Sequence, residues 1–193
     1  MKRHIILAST SLNRRTVMDS LGIEYEIHHP NIDEKAIRDE DYTLRAKKIA
    51  QAKAAVVFEK FPDAIILAGD SFSVINRNVF EKPADLLEAK DMLLRESGGI
   101  GTVYSGFCYI DREQNIDFST TVEVTYTLRT LSEEEIEKYI ADFPVLTWSG
   151  ALFPGNPQGA SMIAEVHGSL NALIYGFPTE VVISCLRQSQ VLK

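Results

Sequence analysis

Cysteine is scarce: the chain of 193 residues has two, Cys108 and Cys185. They stand far apart in apolar contexts, Phe107-Cys108-Tyr109 and Ser184-Cys185-Leu186, and no Cys/His spacing makes a zinc site. The expectation is two buried thiols in a reducing compartment. Long apolar runs are also missing. None approaches the roughly 18 residues of a membrane span, and Ile5-Ile6-Leu7-Ala8 is too short for the apolar core of a signal peptide. A cytoplasmic protein with no membrane partner is expected. Positive charge is in deficit, with 20 basic against 27 acidic residues and a net charge of −7. That argues against a polybasic nucleic-acid binder, and no aromatic stripe offers a stacking platform, so no nucleic-acid polymer is expected as partner. Any anionic ligand must find its cations gathered locally. The four histidines do not cluster beyond His28-His29. The one tryptophan, Trp148, is near enough to Phe153 in sequence to stack on a base, but core packing is the preferred reading.

What is present describes an ordinary globular chain, 45% hydrophobic and 24% charged. Its length suits a single domain over 1–193, with room for two lobes. Arg3 to Leu7 reads as a buried strand, and Ser11 can cap a helix running to about Leu21, with Gly22 as its stop. Ile23 to Ile27 alternates as a strand, and His28 to Asp41 reads as a loop. Tyr42 to Phe58 carries an apolar helical face. Ala64 to Ala68 is a continuous apolar run, as in a strand covered on both faces, ending at Gly69-Asp70-Ser71. Phe72 to Phe80 reads as a hairpin turning at Asn76-Arg77-Asn78. Pro83 opens a helix with Asp85 and Glu88 spaced as a capping box and Gly98-Gly99 as its stop. Thr102 to Ile110 and Ile116 to Leu128 read as paired strands, and Ser132 with Glu135 caps a short acidic helix. Phe143 to Ala160, with three prolines and three glycines, reads as an irregular loop. Met162 to Val166 is a strand and Thr179 to Arg187 a closing helix. The order is that of an α/β (α+β) fold: a mixed twisted sheet with flanking helices.

Several segments carry chemistry. Leu7-Ala8-Ser9-Thr10-Ser11 runs from a strand into a helix N-terminus, where free N–H groups and the hydroxyls of Ser9 and Ser11 favour an anion. Arg14 and Arg15 in the first helical turn oppose the dipole and make more sense beside something anionic. Asp70, at the expected end of a central strand, sits where open α/β sheets place functional groups. It can hold a divalent cation or polarise a water. Glu34, in Pro30-Asn31-Ile32-Asp33-Glu34, gains meaning if Asp70 is close enough to share a metal. Lys53 lies on or beside the buried face of its helix, and Lys82 precedes a helix start that would prefer an acid. Each has a bland alternative: an N-cap, a turn aspartate, solvated acids, a snorkelling lysine. Together they are the parts of a metal-assisted phosphoryl or pyrophosphoryl site.

These segments, in this order, resemble the Maf family of nucleoside triphosphate pyrophosphatases. The resemblance is carried by Leu7-Ala8-Ser9-Thr10-Ser11 with Arg14-Arg15, Pro30 to Glu34, Gly69-Asp70, and Glu81-Lys82-Pro83 with Glu88-Ala89 and Met92-Leu93. Ser97-Gly98, Val103 to Gly106 and Leu131 to Ile136 continue it. It implies hydrolysis of the α–β phosphate bond of a nucleoside triphosphate, a divalent cation (Mg²⁺ or Mn²⁺), and two lobes around a nucleotide cleft. Asp70 matches the catalytic aspartate and Glu34 a metal partner of it. Ser9, Arg14, Lys53 and Lys82 match phosphate-contacting positions, with Ser11 beside them. The Ser-Thr-Ser opening and Phe61 to Ile66 look most like the subgroup acting on 7-methylguanosine triphosphate. Leu12 replaces that family's proline. Asn13 and Ser71 stand at substrate-binding positions whose usual residues differ, and 150–159 replaces the family's late glycine-rich segment. The phosphate end is thus retained and the base-reading end altered. The alternatives are a catalytically weak nucleotide-binding or regulatory protein, and a phosphohydrolase releasing orthophosphate. A homodimer is the base-rate expectation for a soluble enzyme.

Overall fold

The computed structural model describes residues 3–193. Its strands form one seven-stranded mixed sheet in the order β2-β1-β3-β5-β6-β7, with β4 paired to β3. They are β1 (Ile5–Ala8), β2 (Glu26–Ile27), β3 (Ile65–Ile75), β4 (Asn78–Phe80), β5 (Ile100–Asp111), β6 (Ile116–Leu128) and β7 (Ile163–His167). Seven helices accompany them: α1 (Leu12–Ser20), α2 (Tyr42–Lys60), α3 (Leu86–Glu96), α4 (Glu133–Asp142), α5 (Pro157–Met162), α6 (Leu170–Tyr175) and α7 (Thr179–Gln188). β1 runs parallel to β2 and β3, whereas β3/β4 and β6/β7 are antiparallel. The α/β expectation holds. The chain divides into two compact units, the first comprising 1–70, 105–122 and 175–193, the second 71–104 and 123–174. β3, β5 and β6 each contribute to both.

In the first unit the alternation of strand side chains sets two cores. Ile5, Leu7, Ile65 and Leu67 join Val17 and Met18 of α1 and Val182, Cys185 and Leu186 of α7. The intervening residues Ile6, Ala8, Ile66 and Ala68 join Ala50, Ala54 and Val57 of α2. Both cysteines are free and buried, as expected. α2 comes so near β5 that a Cβ on Gly106 would lie 2.1 Å from the Ala46 carbonyl oxygen. Only glycine permits that approach.

The second unit contains β4, α3, α4, α5, β7 and α6. Asp85 accepts from the Glu88 N–H at 2.8 Å to start α3. Glu88 reaches back to the N–H of Ala84 rather than Asp85, so the expected box is shifted by one residue. α4 has the complete box of Ser132 and Glu135. The β3/β4 hairpin turns where expected, with Asn76 and Arg77 at φ 50° and 63°.

Three expectations are corrected. β3 does not stop at Gly69 but continues to Ile75, so Asp70 lies within a strand. The segment 143–160 is not a structureless loop: it makes 3-10 turns at Val145–Thr147 and Ser149–Ala151, then α5. The second strand shrinks to Glu26–Ile27. α6 lacked a sequence signal. Trp148 and Phe153 stack on each other, ring centroids 5.0 Å apart.

Candidate active site

β1 connects through α1 to β2 on one side and lies beside β3 on the other, so the strand order reverses between β1 and β3. α1 packs on one face and α2 on the other. Open α/β sheets bind ligands at such a switch point, beyond the carboxyl ends of the strands. β1 ends at Ala8, paired with Ala68, and Ser9, Gly69 and Asp70 follow immediately.

Strand alternation then distributes the side chains. Asp70 continues the Ile66, Ala68 series and faces α2. There Lys53 occupies the buried row shared by Ala46, Ile49, Ala50 and Val57. Lys53 is 5% exposed, and its Nζ lies 2.8 Å from Asp70 Oδ1 and 2.8 Å from Glu34 Oε2. The ammonium bridges the two carboxylates, so Lys53 is not a snorkelling lysine. Glu34 belongs to a 3-10 turn in the expected loop, whose N-cap Asp33 accepts from the N–H groups of Lys35 and Ala36. That local capping presents Glu34.

Gly69 belongs to the opposite series and leaves room for Arg14: a Cβ there would lie 3.0 Å from Arg14 Nε. Arg14 is 6% exposed. Its Nε donates to the Gly176 carbonyl at 3.1 Å and its Nη1 to Ser9 Oγ at 3.2 Å. Ser9 Oγ also accepts from the Ser11 N–H at 3.1 Å. Ser11 is the N-cap residue of α1, but its side chain makes no cap bond. No acidic residue lies in the first turn of α1 to offset its dipole.

Electrostatics fix the protonation pattern. Burial pushes the Asp70 carboxyl upward, but the charges of Lys53 and Arg14, with the hydrogen bond that Lys53 donates, outweigh it and hold Asp70 below its ordinary range. Burial lowers Arg14, while Asp70 and Glu34 pull it back. Arginine begins so high that it stays charged. Two cations thus face two carboxylates, and the cluster is close to neutral by itself.

The structure brings Ser9, Arg14, Glu34, Lys53 and Asp70 together in the first unit, with Ser11 and Asn13 at the start of α1. Ser71 and Lys82 belong to the second unit, where Lys82 is exposed. Sequence reasoning overlooked the Gly176 carbonyl, whose pairing with Arg14 spans 162 positions and leaves no local signal. It also overlooked Glu96, an acid in the apolar row of α3 with Ala89, Met92 and Leu93, where the row itself was the signal.

A switch-point site with buried cations at a strand-to-helix turn has the features with which open α/β folds hold anions. The family described as Maf-like protein matches residues 4–189, and the chain belongs to that family. A dTTP/UTP pyrophosphatase of Pyrococcus furiosus is 32% identical over 99% of this chain and 98% of its own length. One of Salmonella typhimurium is 33% identical over 90% and 87%, and one of Syntrophus aciditrophicus 30% over 95% and 88%.

Proposed function

We propose that the protein is a nucleoside triphosphate pyrophosphatase, a hydrolase of acid anhydrides that cleaves the α–β bond to a monophosphate and pyrophosphate. The observation that carries this reading is the Lys53 bridge between Asp70 and Glu34 beside buried Arg14. The names of the relatives support the reaction class.

Ser9, the N–H groups opening α1, and Arg14 receive phosphate oxygens. Lys53 and Lys82, the further phosphate-contacting positions of the family pattern, add positive charge that binds the triphosphate. Because the cluster is near neutral, it needs further cations to accept a triphosphate. A divalent cation meets that need, and Mg²⁺ typically takes one or two carboxylates plus phosphate and water. Glu34 and Asp70 offer hard oxygens of that kind, although the described residues hold no group of three or more acidic, histidine or cysteine ligands. The ion would supply charge neutralisation and water activation. Asp70, held ionised well below neutral pH, orients the attacking water by accepting its hydrogen bond.

The altered positions Asn13 and Ser71 and the segment 150–159 set the base preference. The relatives' names point to thymine or uracil, and the Ser-Thr-Ser opening to 7-methylguanine. A panel of ordinary and modified nucleoside triphosphates with Mg²⁺ or Mn²⁺, following pyrophosphate and monophosphate together, decides both questions. Equimolar release of the two products supports the reading and names the base. Orthophosphate as product, or saturable binding without turnover, overturns it.

A further inference from the structure

One buried titratable group takes no part in the chemistry above. Glu96 ends α3 at 1% exposure. Its Oε2 accepts from the Tyr126 phenol at 3.2 Å, while its Oε1 has no hydrogen-bond partner among the described residues. Gly150, at φ 67°, lies directly against it: a Cβ there would stand 2.5 Å from Oε1. The same turn grips the end of β4. Ser149 Oγ donates to the Phe80 carbonyl at 2.8 Å, and the Gly150 N–H donates to the Glu81 carbonyl at 3.1 Å. Lys82 is the next residue.

We propose that Glu96 is a positioning residue that seats the Ser149–Ala151 turn and, through that turn's bonds to Phe80 and Glu81, holds the backbone carrying Lys82. The consequence for catalysis rests on the phosphate role given to Lys82 above; the seating of the turn does not.

Glu96 does this as an uncharged acid. Burial pushes its carboxyl up to about 8, with the Tyr126 hydrogen bond pulling the other way. The groups facing it are phenols: Tyr126 of β6, itself hydrogen-bonded to Ser73 of β3, and Tyr139 of α4. The turn Ser149–Ala151 contributes no titratable side chain. On α3, Arg95 lies over the Phe80 ring at 4.7 Å and Lys90 pairs with Glu133 and Glu137. An ionised Glu96 therefore has one phenol donor and no counter-ion among the described residues, and a buried charge so placed is expelled or hydrated. Raising the pH through this range unseats the turn and loosens Lys82.

Trp148 precedes Ser149 and is the only tryptophan, so its emission reads the turn whether or not the protein turns over. Emission and pyrophosphate release are measured from about pH 6.5 to about pH 9.5 in wild type, Glu96→Gln and Tyr126→Phe. Wild type should show an emission transition centred near 8. Its KM for the triphosphate should rise about tenfold by about pH 9, with a smaller change in kcat. Glu96→Gln, which cannot ionise, should lose both effects. Tyr126→Phe should move the emission midpoint upward, which keeps the test open if the glutamine variant does not fold. A flat wild-type emission curve, a transition that persists in Glu96→Gln, or an unmoved midpoint in Tyr126→Phe overturns the seating role. An emission transition lost in Glu96→Gln while no triphosphate is turned over supports the seating role and overturns the pyrophosphatase reading instead.

Discussion

Asp70 and Glu96 are both buried carboxyls, one in each unit, yet they are held in opposite protonation states. Around Asp70 the chain gathers Lys53 and Arg14, and the carboxyl stays ionised below its ordinary range although burial opposes it. Around Glu96 it gathers phenols and a glycine turn, and burial pushes the carboxyl up to about 8. Desolvation acts on both in the same direction; the charged neighbours decide the outcome. The first arrangement suits binding an anion and handling a water. The second suits holding backbone in place.

The largest expected effect strikes the ionised member. Asp70→Asn keeps the shape but removes the charge, and should cut pyrophosphate release by about a thousandfold. Near-wild-type turnover in that variant would sink the assigned mechanism. Next comes the neutral member, through stability. The ordinary value for Glu96 is 4.5 and the folded value about 8, so between them the unfolded chain releases a proton that the folded chain keeps. Folding stability therefore falls as pH rises through that window and levels off above it, by on the order of 5 kcal/mol. Urea titrations at several pH values should show this slope in wild type and its absence in Glu96→Gln.

Lys53→Met sharpens the contrast from the other side. It leaves Asp70 buried without its nearest cation and should cost about 3 kcal/mol of stability in a denaturant titration. If Asp70 lay in a wet environment like an ordinary surface acid, the loss would be far smaller. The smallest effect falls on the second unit. Ser132→Ala removes half of the α4 capping box and should cost about 1 kcal/mol in the same titration, without changing KM.

Where local pattern determines structure, the sequence was legible. The spacing of Lys53 from Ile49 and Val57 put it on the buried face of α2, and the structure adds Asp70 and Glu34 as the reason it is tolerated there. The two-stranded run after Gly101 and the α4 capping box were equally plain. Gly69-Asp70-Ser71 misled because glycine beside aspartate reads as a turn. Its actual role is to admit a guanidinium to one side of a continuing strand, and that guanidinium comes from α1. Ser11 misled for a similar reason: it holds the N-cap position, but its side chain makes no cap bond, and the hydroxyl fixed by Arg14 is that of Ser9, which accepts from the Ser11 N–H ahead of the helix. Glu96 was hidden just ahead of Gly98-Gly99, which reads as a helix stop, and its neighbour Gly150 is more than 50 positions away.

The two buried cysteines have a practical corollary. Burial pushes Cys185 up to about 11 and Cys108 up to about 12. At neutral pH the thiolate, which is the reactive form, is a fraction on the order of one in ten thousand or less. The native chain is therefore nearly silent toward maleimide and iodoacetamide. A cysteine introduced on an exposed stretch such as Glu133 or Glu137 would carry a fluorophore or spin label alone, with neither natural thiol needing replacement.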